Sequence, residues 1–535
     1  MATESAEQVP INVTGSSVFG IYPKINLEKT VNMFISEDWL CNYAGYKLIR
    51  TIATSGEGRG LFHSVRGNFM LAVINNTVYY ISSSLTAVPV STTLDTTSGE
   101  VSMDENNAQQ ICIVDGSDAY IFHYTVTNPT IHTLTKQNLP GSPYFIIPNY
   151  VSFHNTFFLI GSALTSINPQ LWYAFTRATD ITISLGTTPA QRTFEISTKP
   201  DRALAVERLP GKGNNVLVLG QSVSEVWQQV GGTQNYSRAT SYNIDYGCVS
   251  VNTIASNEDL VCWLGQNENN SPVILTSNGA QTNRISTDGI DHLLESIEFP
   301  QDSTAFFYRQ NGHLFYHLTF FNTADNLSLL YDFNTEQFYH ASDENQNFYP
   351  ARQVAYFDGN EYFVSLSDAS LYQIGQQFIT YKYTLSSSDP GEEIPRIRIC
   401  RPLRKEDSSI FRVGMFTFWI EQGVNNWYNT GNTNCDGFLI TENTNQIIVT
   451  EGGDPILSQQ GLCFTDNGRP RVDMSFSKTG NQTFSNIVGR ELNQQAKFRN
   501  QIRWHRMGFA NEFTIQLRFW GFQRFVTSNG VAEVY

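Results

Sequence analysis

Between Gly58 and Gly375 the chain repeats one phrase seven times: a short apolar strand, a tight polar turn, a second apolar strand, another turn and a third strand. The clearest copy runs Leu61-Phe62-His63, the turn Arg66-Gly67-Asn68, the strand Phe69 to Ile74, the turn Asn75-Asn76, and the strand Val78 to Ile81. Copies begin near residues 58, 101, 149, 202, 250, 303 and 351, a period of roughly 45–53 residues, which is the spacing of propeller blades and related arrays. A sheet of three or four strands cannot cover both its own faces, so each copy must stack on like neighbours. Closing such a stack into a ring also hides strand edges that would otherwise recruit other chains. The expectation is an all-β chain built on a β-propeller, with seven blades from the direct count and six plus one irregular insertion as the alternative.

A chain of 535 residues is too long for one core, so flanking units are expected. Residues 1–57 do not fit the repeat: Ile11 to Gly20 reads as an extended arm, and Val31 to Ile35 and Tyr46 to Ile49 read as strands. Such an arm, with its strands, could close the ring or reach a neighbouring subunit. Residues 58–375 form the propeller. After Gly375 comes Ser386-Ser387-Ser388-Asp389-Pro390-Gly391, read as a linker or sharp loop, and the pattern then changes to longer alternating strands: Ile394 to Cys400, Phe411 to Ile420, Arg471 to Phe476, Gln501 to Arg506 and Phe513 to Trp520. Loops rich in Gly, Asn and Thr, such as Asn429 to Gly437 and Gly452 to Asp454, separate them. Long alternation of this kind predicts a C-terminal antiparallel β-sandwich over 376–535, with one face solvated or docked. One short helix is expected, Gly289 to Ile297, between Asp288 and Pro300.

The formal charge of −15 argues against a protein that grips nucleic acid, because neutralised phosphates supply most of that affinity. The charge is uneven: residues 376–535 hold 17 basic and 15 acidic side chains, while the first 375 hold 17 and 34. The acid lies in the repeats. No stretch approaches eighteen apolar residues, so no membrane insertion is expected, and the N-terminus lacks the basic start and apolar run of a signal peptide. The seven cysteines are scattered with no C-x-x-C pair, which fits free thiols in a reducing cytosol.

Catalytic signatures are missing. Neither G-x-S-x-G nor H-E-x-x-H occurs, and Gly211-Lys212-Gly213 lacks the rest of a phosphate loop. His313 and His317 share one face of a predicted strand, but zinc needs a third ligand and none is near in sequence, so they read as a solvated or hydrogen-bonded pair. Ser477 to Phe484 looks like a degraded Asp-box hairpin without its Asp. A propeller glycosidase would need two carboxylates on one cleft, and nothing selects two among 49. No enzyme activity, cofactor or metal is expected. The segment Arg490 to Arg524 interleaves arginines with Trp504 and Trp520. Arginine and tryptophan together favour interfaces, which makes Arg490, Arg499, Arg503, Trp504, Arg506, Arg518 and Trp520 candidate contact residues; the plain reading is the wet face of a sandwich.

Several phrases follow one another in order along the chain: Tyr22-Pro23-Lys24-Ile25-Asn26 with Val31-Asn32-Met33-Phe34, then Gly45-Tyr46-Lys47-Leu48, then Gly58-Arg59-Gly60-Leu61-Phe62, and near the end Arg503 to Gly508 with Phe513 to Arg518. In these the chain resembles the tail-hub proteins of short-tailed bacteriophages, also called packaged-DNA stabilisation or nozzle proteins. The resemblance implies a structural virion protein: a homo-hexameric ring under the portal and its adaptor, assembled in the host cytoplasm. Such a ring closes the channel after packaging, conducts DNA on ejection, and holds a needle, spikes or fibres. The long Asn/Thr-rich loops depart from the family where a needle or fibre would dock. An acidic wall suits a conduit, since it repels phosphate and lets a stiff polyanion slide. The alternative from another class is a carbohydrate-binding or glycan-cleaving propeller used in host recognition.

Overall fold

The computed structural model describes residues 6–20, 28–140, 142–176, 192–231, 235–279, 281–382, 391–422, 470–478, 483–492, 499–521 and 524–535. The opening phrase Tyr22 to Asn26, the linker apart from Gly391, and the two Asn/Thr- and Gly-rich loops lie outside these residues.

Among the described residues the repeats form seven four-stranded antiparallel blades. Blades 1 to 6 start with the strands Gly58–Ser64, Ser102–Glu105, Pro148–His154, Ala205–Arg208, Ala255–Ser256 and Ser303–Gln310, and each takes its next three strands in chain order. Blade 7 has only three strands of its own: Ala351–Phe357, Asn360–Ser365 and Ser370–Gly375. Its fourth is Gly45–Thr51, antiparallel to Ser370–Gly375 with Gly45 opposite Gly375. A strand from before the first blade thus closes the ring.

The strand pattern explains why the repeat was conspicuous. In blade 1 the second strand, Phe69–Ile74, is buried at every position because blades press on both its faces. Its side chains alternate: Phe69, Leu71 and Val73 join Ile111, Ile113 and Phe122 of blade 2, while Met70, Ala72 and Ile74 join Phe357, Val364 and Leu371 of blade 7. Burial on two sides needs a continuous apolar run, and one side chain of this kind contributes about 1.5–3 kcal/mol when fully buried. The outermost strand, Ala87–Thr93, has a single buried position and reads as polar. Two-residue hairpins of this twist need φ > 0 at their centre, a conformation that Asn, Asp and Gly tolerate best. Asn75, Asn155, Asn311-Gly312 and Asp358-Gly359 supply it.

The expected C-terminal strands form two facing sheets with a shared core that includes Phe416, Phe418, Val472, Met474, Ile515 and Leu517. One sheet is continuous with the propeller. Beyond the last strand of blade 6, Gln337–Ala341, it runs through Lys29–Val31, Arg396–Ile399, Glu512–Trp520 and Arg471–Ser477 to Val488–Glu491. The other sheet orders Met33–Ser36, Trp39–Asn42, Phe525–Val534, Phe411–Gln422 and Arg499–Ala510, with Glu7–Ile11 also paired to Phe525–Val534. The described strands before Gly45 therefore pair with the C-terminal sheets. Arg398 fastens them. It is fully buried and donates to the carbonyls of Asn12 and Ser16 at 2.9 and 2.8 Å, to Thr30 Oγ1 at 3.2 Å and to Glu28 Oε2 at 2.8 Å. A Cβ on Gly15 would sit 1.9 Å from the same guanidinium, so the clamp requires glycine there.

The helix is Asp288–Glu295, capped by Thr287 accepting from the Ile290 amide. Cys112, Cys248, Cys262 and Cys400 are buried and Cys41 is half-buried, all free thiols; Cys435 and Cys463 lie outside the described residues. Ser477 and Phe484 form an isolated antiparallel bridge, while residues 479–482 of that predicted hairpin lie outside the described set.

Candidate assembly surfaces and the propeller axis

The first strand of every blade faces the axis, and together they enclose a cavity of about 330 Å³ reached by residues of all seven. Its wall is polar. Gln353 of blade 7 accepts from the Leu61 amide at 2.9 Å and donates to Glu100 Oε1 at 2.6 Å. Asp104 of blade 2 accepts from the Phe153 amide of blade 3 at 2.6 Å. Tyr150 of blade 3 donates to Glu207 Oε2 of blade 4 at 2.9 Å. Axial carboxylates therefore stitch neighbouring blades. Burial raises the carboxyl of Glu100 to about 7 against the pull of Arg352, and raises those of Asp104 and Glu207 against the pull of Arg208.

This axis is not a conduit for duplex DNA. A bore only as wide as a B-DNA major groove, about 12 Å, would use up the cavity's 330 Å³ in about 3 Å of length.

The seven candidate contact residues divide by strand face. Strand Arg499–Ala510 pairs on one side with Phe411–Gln422 and ends its sheet in the described pairing. Along it Arg499, Arg503 and Arg506 are exposed while Trp504 is buried. Arg499 lies over the Trp419 ring, 4.9 Å from its centroid, and Arg490 donates to the Arg503 carbonyl at 3.1 Å from the edge of the opposite sheet. Trp504 is a core residue: it is 1% exposed, stacks on Phe416 and Phe418, and donates to the Val488 carbonyl at 2.9 Å. Its indole ties the two sheets together and is not offered outward. Arg518 and Trp520 sit half-buried on Glu512–Trp520, where Trp520 carries Arg471 at 5.5 Å from its ring centroid. The structure brings Arg490, Arg499 and Arg503 to one edge and leaves Arg518 and Trp520 on the other sheet.

The chain matches the family model described as "Bacteriophage P22 Gp10, beta-propeller" over residues 16–377. It belongs to that family of phage stabilisation proteins. The matched span takes in the N-terminal strands Lys29–Val31, Met33–Ser36 and Trp39–Asn42, the ring-closing strand and all seven blades, and stops before the C-terminal strands of the sandwich. Family members are structural components of the virion. No curated protein matches the chain. Among solved structures it is similar to YCF48 bound to a D1 peptide (11% identity, TM-score 0.36, covering 63% of this chain and 95% of that one). It is also similar to the extracellular domain of the one-component system BT4673 from B. thetaiotaomicron (10%, 0.40, 88% and 58%) and to a luciferin-regenerating enzyme (9%, 0.33, 66% and 98%). These likenesses are too distant to carry an argument.

The two strand histidines have separate structural tasks in this phage protein. His313 Nδ1 lies 2.8 Å from Asp332 Oδ2, and its Nε2 lies 3.2 Å from Ser36 Oγ. The order Ser–His–Asp is that of hydrolytic triads. Here, however, Asp332 also holds the following turn through the Asn334 amide and the Thr335 hydroxyl, and the exposed Glu37 and Asp38 beside Ser36 would repel an oxyanion. The contacts brace the Met33–Asn42 hairpin against blade 6. His317 lies wholly inside an aromatic nest, 4.6 Å from the Tyr349 ring and 4.7 Å from Phe306, and burial depresses it to about 3, so it is neutral.

Sequence reasoning missed the axial carboxylates because no motif marks them. Their signal was positional: Glu207 and Arg208 end the first strand of their repeat, Asp104 lies within its own, and Glu100 just precedes it.

Proposed function

We propose that this phage stabilisation protein acts as the hub, or nozzle, of a short tail. Copies assemble into a homo-hexameric ring beneath the portal adaptor, close the channel after packaging, hold the genome and conduct it on ejection. The observation that carries the reading is family membership across the whole propeller. Two physical points support it. The blade axis is too narrow for a duplex, so a conduit must lie between subunits about the ring's own axis. The acid concentrated in the first 375 residues suits a surface past which DNA slides without being held.

A cyclic ring uses heterologous contacts, one patch meeting a different patch on the next copy. The basic edge of the sandwich, with Arg490, Arg499 and Arg503, and the acidic propeller are complementary candidates for those patches. The sandwich also offers a place for a needle, spike or fibre protein. Assembly takes place in the host cytoplasm, with the finished ring in the virion. The test is genetic and physical together: particles made without this protein should package DNA and then lose it to nuclease. Particles that keep protected genomes without it would overturn the reading.

A further inference from the structure

Blade 7 is completed differently from the other six. Their four strands follow one another along the chain, whereas its fourth, Gly45–Thr51, comes from before blade 1. Thr51 and Ser370, whose hydroxyl oxygens lie 3.5 Å apart, are separated by 319 residues. Closing a loop costs entropy that grows with its length, and no turn ties this strand to its neighbour. The sandwich holds it instead. Trp39–Asn42 lies in a sandwich sheet and Gly45–Thr51 in the propeller, with only the buried Tyr43 and Ala44 between them. Upstream, the buried Asn32, at φ 55°, pins the same stretch. Its amide donates to the His340 carbonyl at 2.9 Å, and its carbonyl accepts from the Tyr43 amide at 3.0 Å. Its side chain accepts from the Ser342 amide at 2.9 Å and donates to Ser342 Oγ at 3.0 Å and to the Pro395 carbonyl at 2.9 Å. One residue thus joins the end of blade 6, the connection to blade 7 and the chain entering Arg396–Ile399. The chain leaving blade 7 is tied at the same place. The Gly45 amide donates to the Phe378 carbonyl at 2.9 Å, and a Cβ on Gly45 would sit 2.4 Å from the Thr380 carbonyl oxygen.

We propose that Lys29–Thr51 is a latch that makes closure of the propeller conditional on the folded sandwich. Its two halves are buried in different cores. Met33 and Leu40, on the hairpin, pack in the sandwich core with Phe416 and Ile515. Tyr43 and Tyr46 pack between blades 6 and 7 with Tyr349, Phe363 and Tyr372, and Tyr46 stacks on Tyr381 with 4.5 Å between ring centroids. Proteins open in contiguous cooperative units, and this segment puts the sandwich and the seam of blade 7 in one such unit. Loosening the sandwich releases the hairpin, the hairpin releases Gly45–Thr51, and the propeller opens beside Ser370–Gly375 before any other blade is disturbed. A partner that grips the sandwich tightens the same seam. The latch is independent of the hub reading, because every contact in it lies within one chain.

The test is amide hydrogen exchange of the full-length chain, read by mass spectrometry. Ile515→Ala weakens the sandwich core from a residue outside the core that holds Tyr43 and Tyr46. It should speed exchange in residues 45–51 and 370–375 at least tenfold, in step with 411–420, while 215–219 of blade 4 keep the wild-type rate. Asn32→Gly tolerates the left-handed backbone but removes the three side-chain hydrogen bonds, and should speed 45–51 and 370–375 in the same way. Val218→Ala, in the core between blades 3 and 4, should leave 45–51 unchanged. If the sandwich variant does not fold, the wild type in guanidinium below its unfolding midpoint carries the test: 45–51 and 411–420 should open together, ahead of 215–219. Exchange at 45–51 that stays at the wild-type rate in Ile515→Ala, that rises equally in Val218→Ala, or that opens apart from 411–420 in guanidinium would overturn the proposal.

Discussion

Glu100 gives the protein an unusual pH dependence. Burial raises its carboxyl from 4.5 to about 7, so folding favours the protonated form. A raised carboxyl stabilises the fold at low pH, and that contribution disappears as pH climbs through the folded value. At 1.36 kcal/mol per unit, the shift is worth about 3 kcal/mol between pH 4.5 and pH 8. Glu100→Gln mimics the neutral acid at every pH and retains an oxygen for Gln353. Near pH 4.5 variant and wild type should match, and by pH 8 the variant should be more stable by about 3 kcal/mol. With an unfolding entropy of about 2.1 cal/mol/K per residue, a chain of this length gains roughly 3 °C in Tm from that difference if it melts as one unit. Calorimetry of both proteins across this range is the assay. Parallel pH profiles would refute the reasoning. So would a variant less stable at all pH values, since Arg352 would then depend on the ionised partner.

Other positions test the packing. Arg398→Ala strands Glu28 in a buried site and should cost about 3–5 kcal/mol, with faster proteolysis of residues 6–20; a melt within 1 °C of wild type would count against the clamp. Gly15→Ala should act in the same direction, because the new methyl meets the guanidinium. Leu71→Ala, between blades 1 and 2, should lose about 2–5 kcal/mol in chemical denaturation. Asp332→Asn should cost about 1.5–3 kcal/mol by weakening the charge-assisted bond to His313, without creating or removing esterase activity; an activity change on a chromogenic ester would show that Ser36 is more than a brace.

The blades were legible because two-sided burial writes itself as unbroken apolar runs such as Phe69–Ile74, separated by Asn and Gly turns. The destination of the N-terminal strands was not legible. Glu7–Ile11 pairs with Phe525–Val534, and Lys29–Val31 inserts between Gln337–Ala341 and Arg396–Ile399. Such pairings are set by tertiary packing across hundreds of residues and leave no local pattern. Within the Arg/Trp segment the period of two held the answer for Trp504: Arg499, Gln501, Arg503 and His505 point outward while Ile502 and Trp504 point inward. The alternation then breaks at Arg506, at φ 62°, and Gly508, at φ 90°, so composition alone placed Trp504 with residues whose faces it does not share. The axial acids were hidden for another reason. Their meaning depends on ring position, which becomes visible only once the first strand of each repeat is recognised as the inner one.

The hub reading rests on a ring whose centre, and not the axis of each propeller, is the passage. Native mass measurement of the purified protein, combined with electron microscopy of tails, addresses this most directly. The account predicts a six-membered torus with an open central channel and blades whose own axes are closed to DNA. A chain that stays monomeric at micromolar concentration and appears singly in the virion would contradict it.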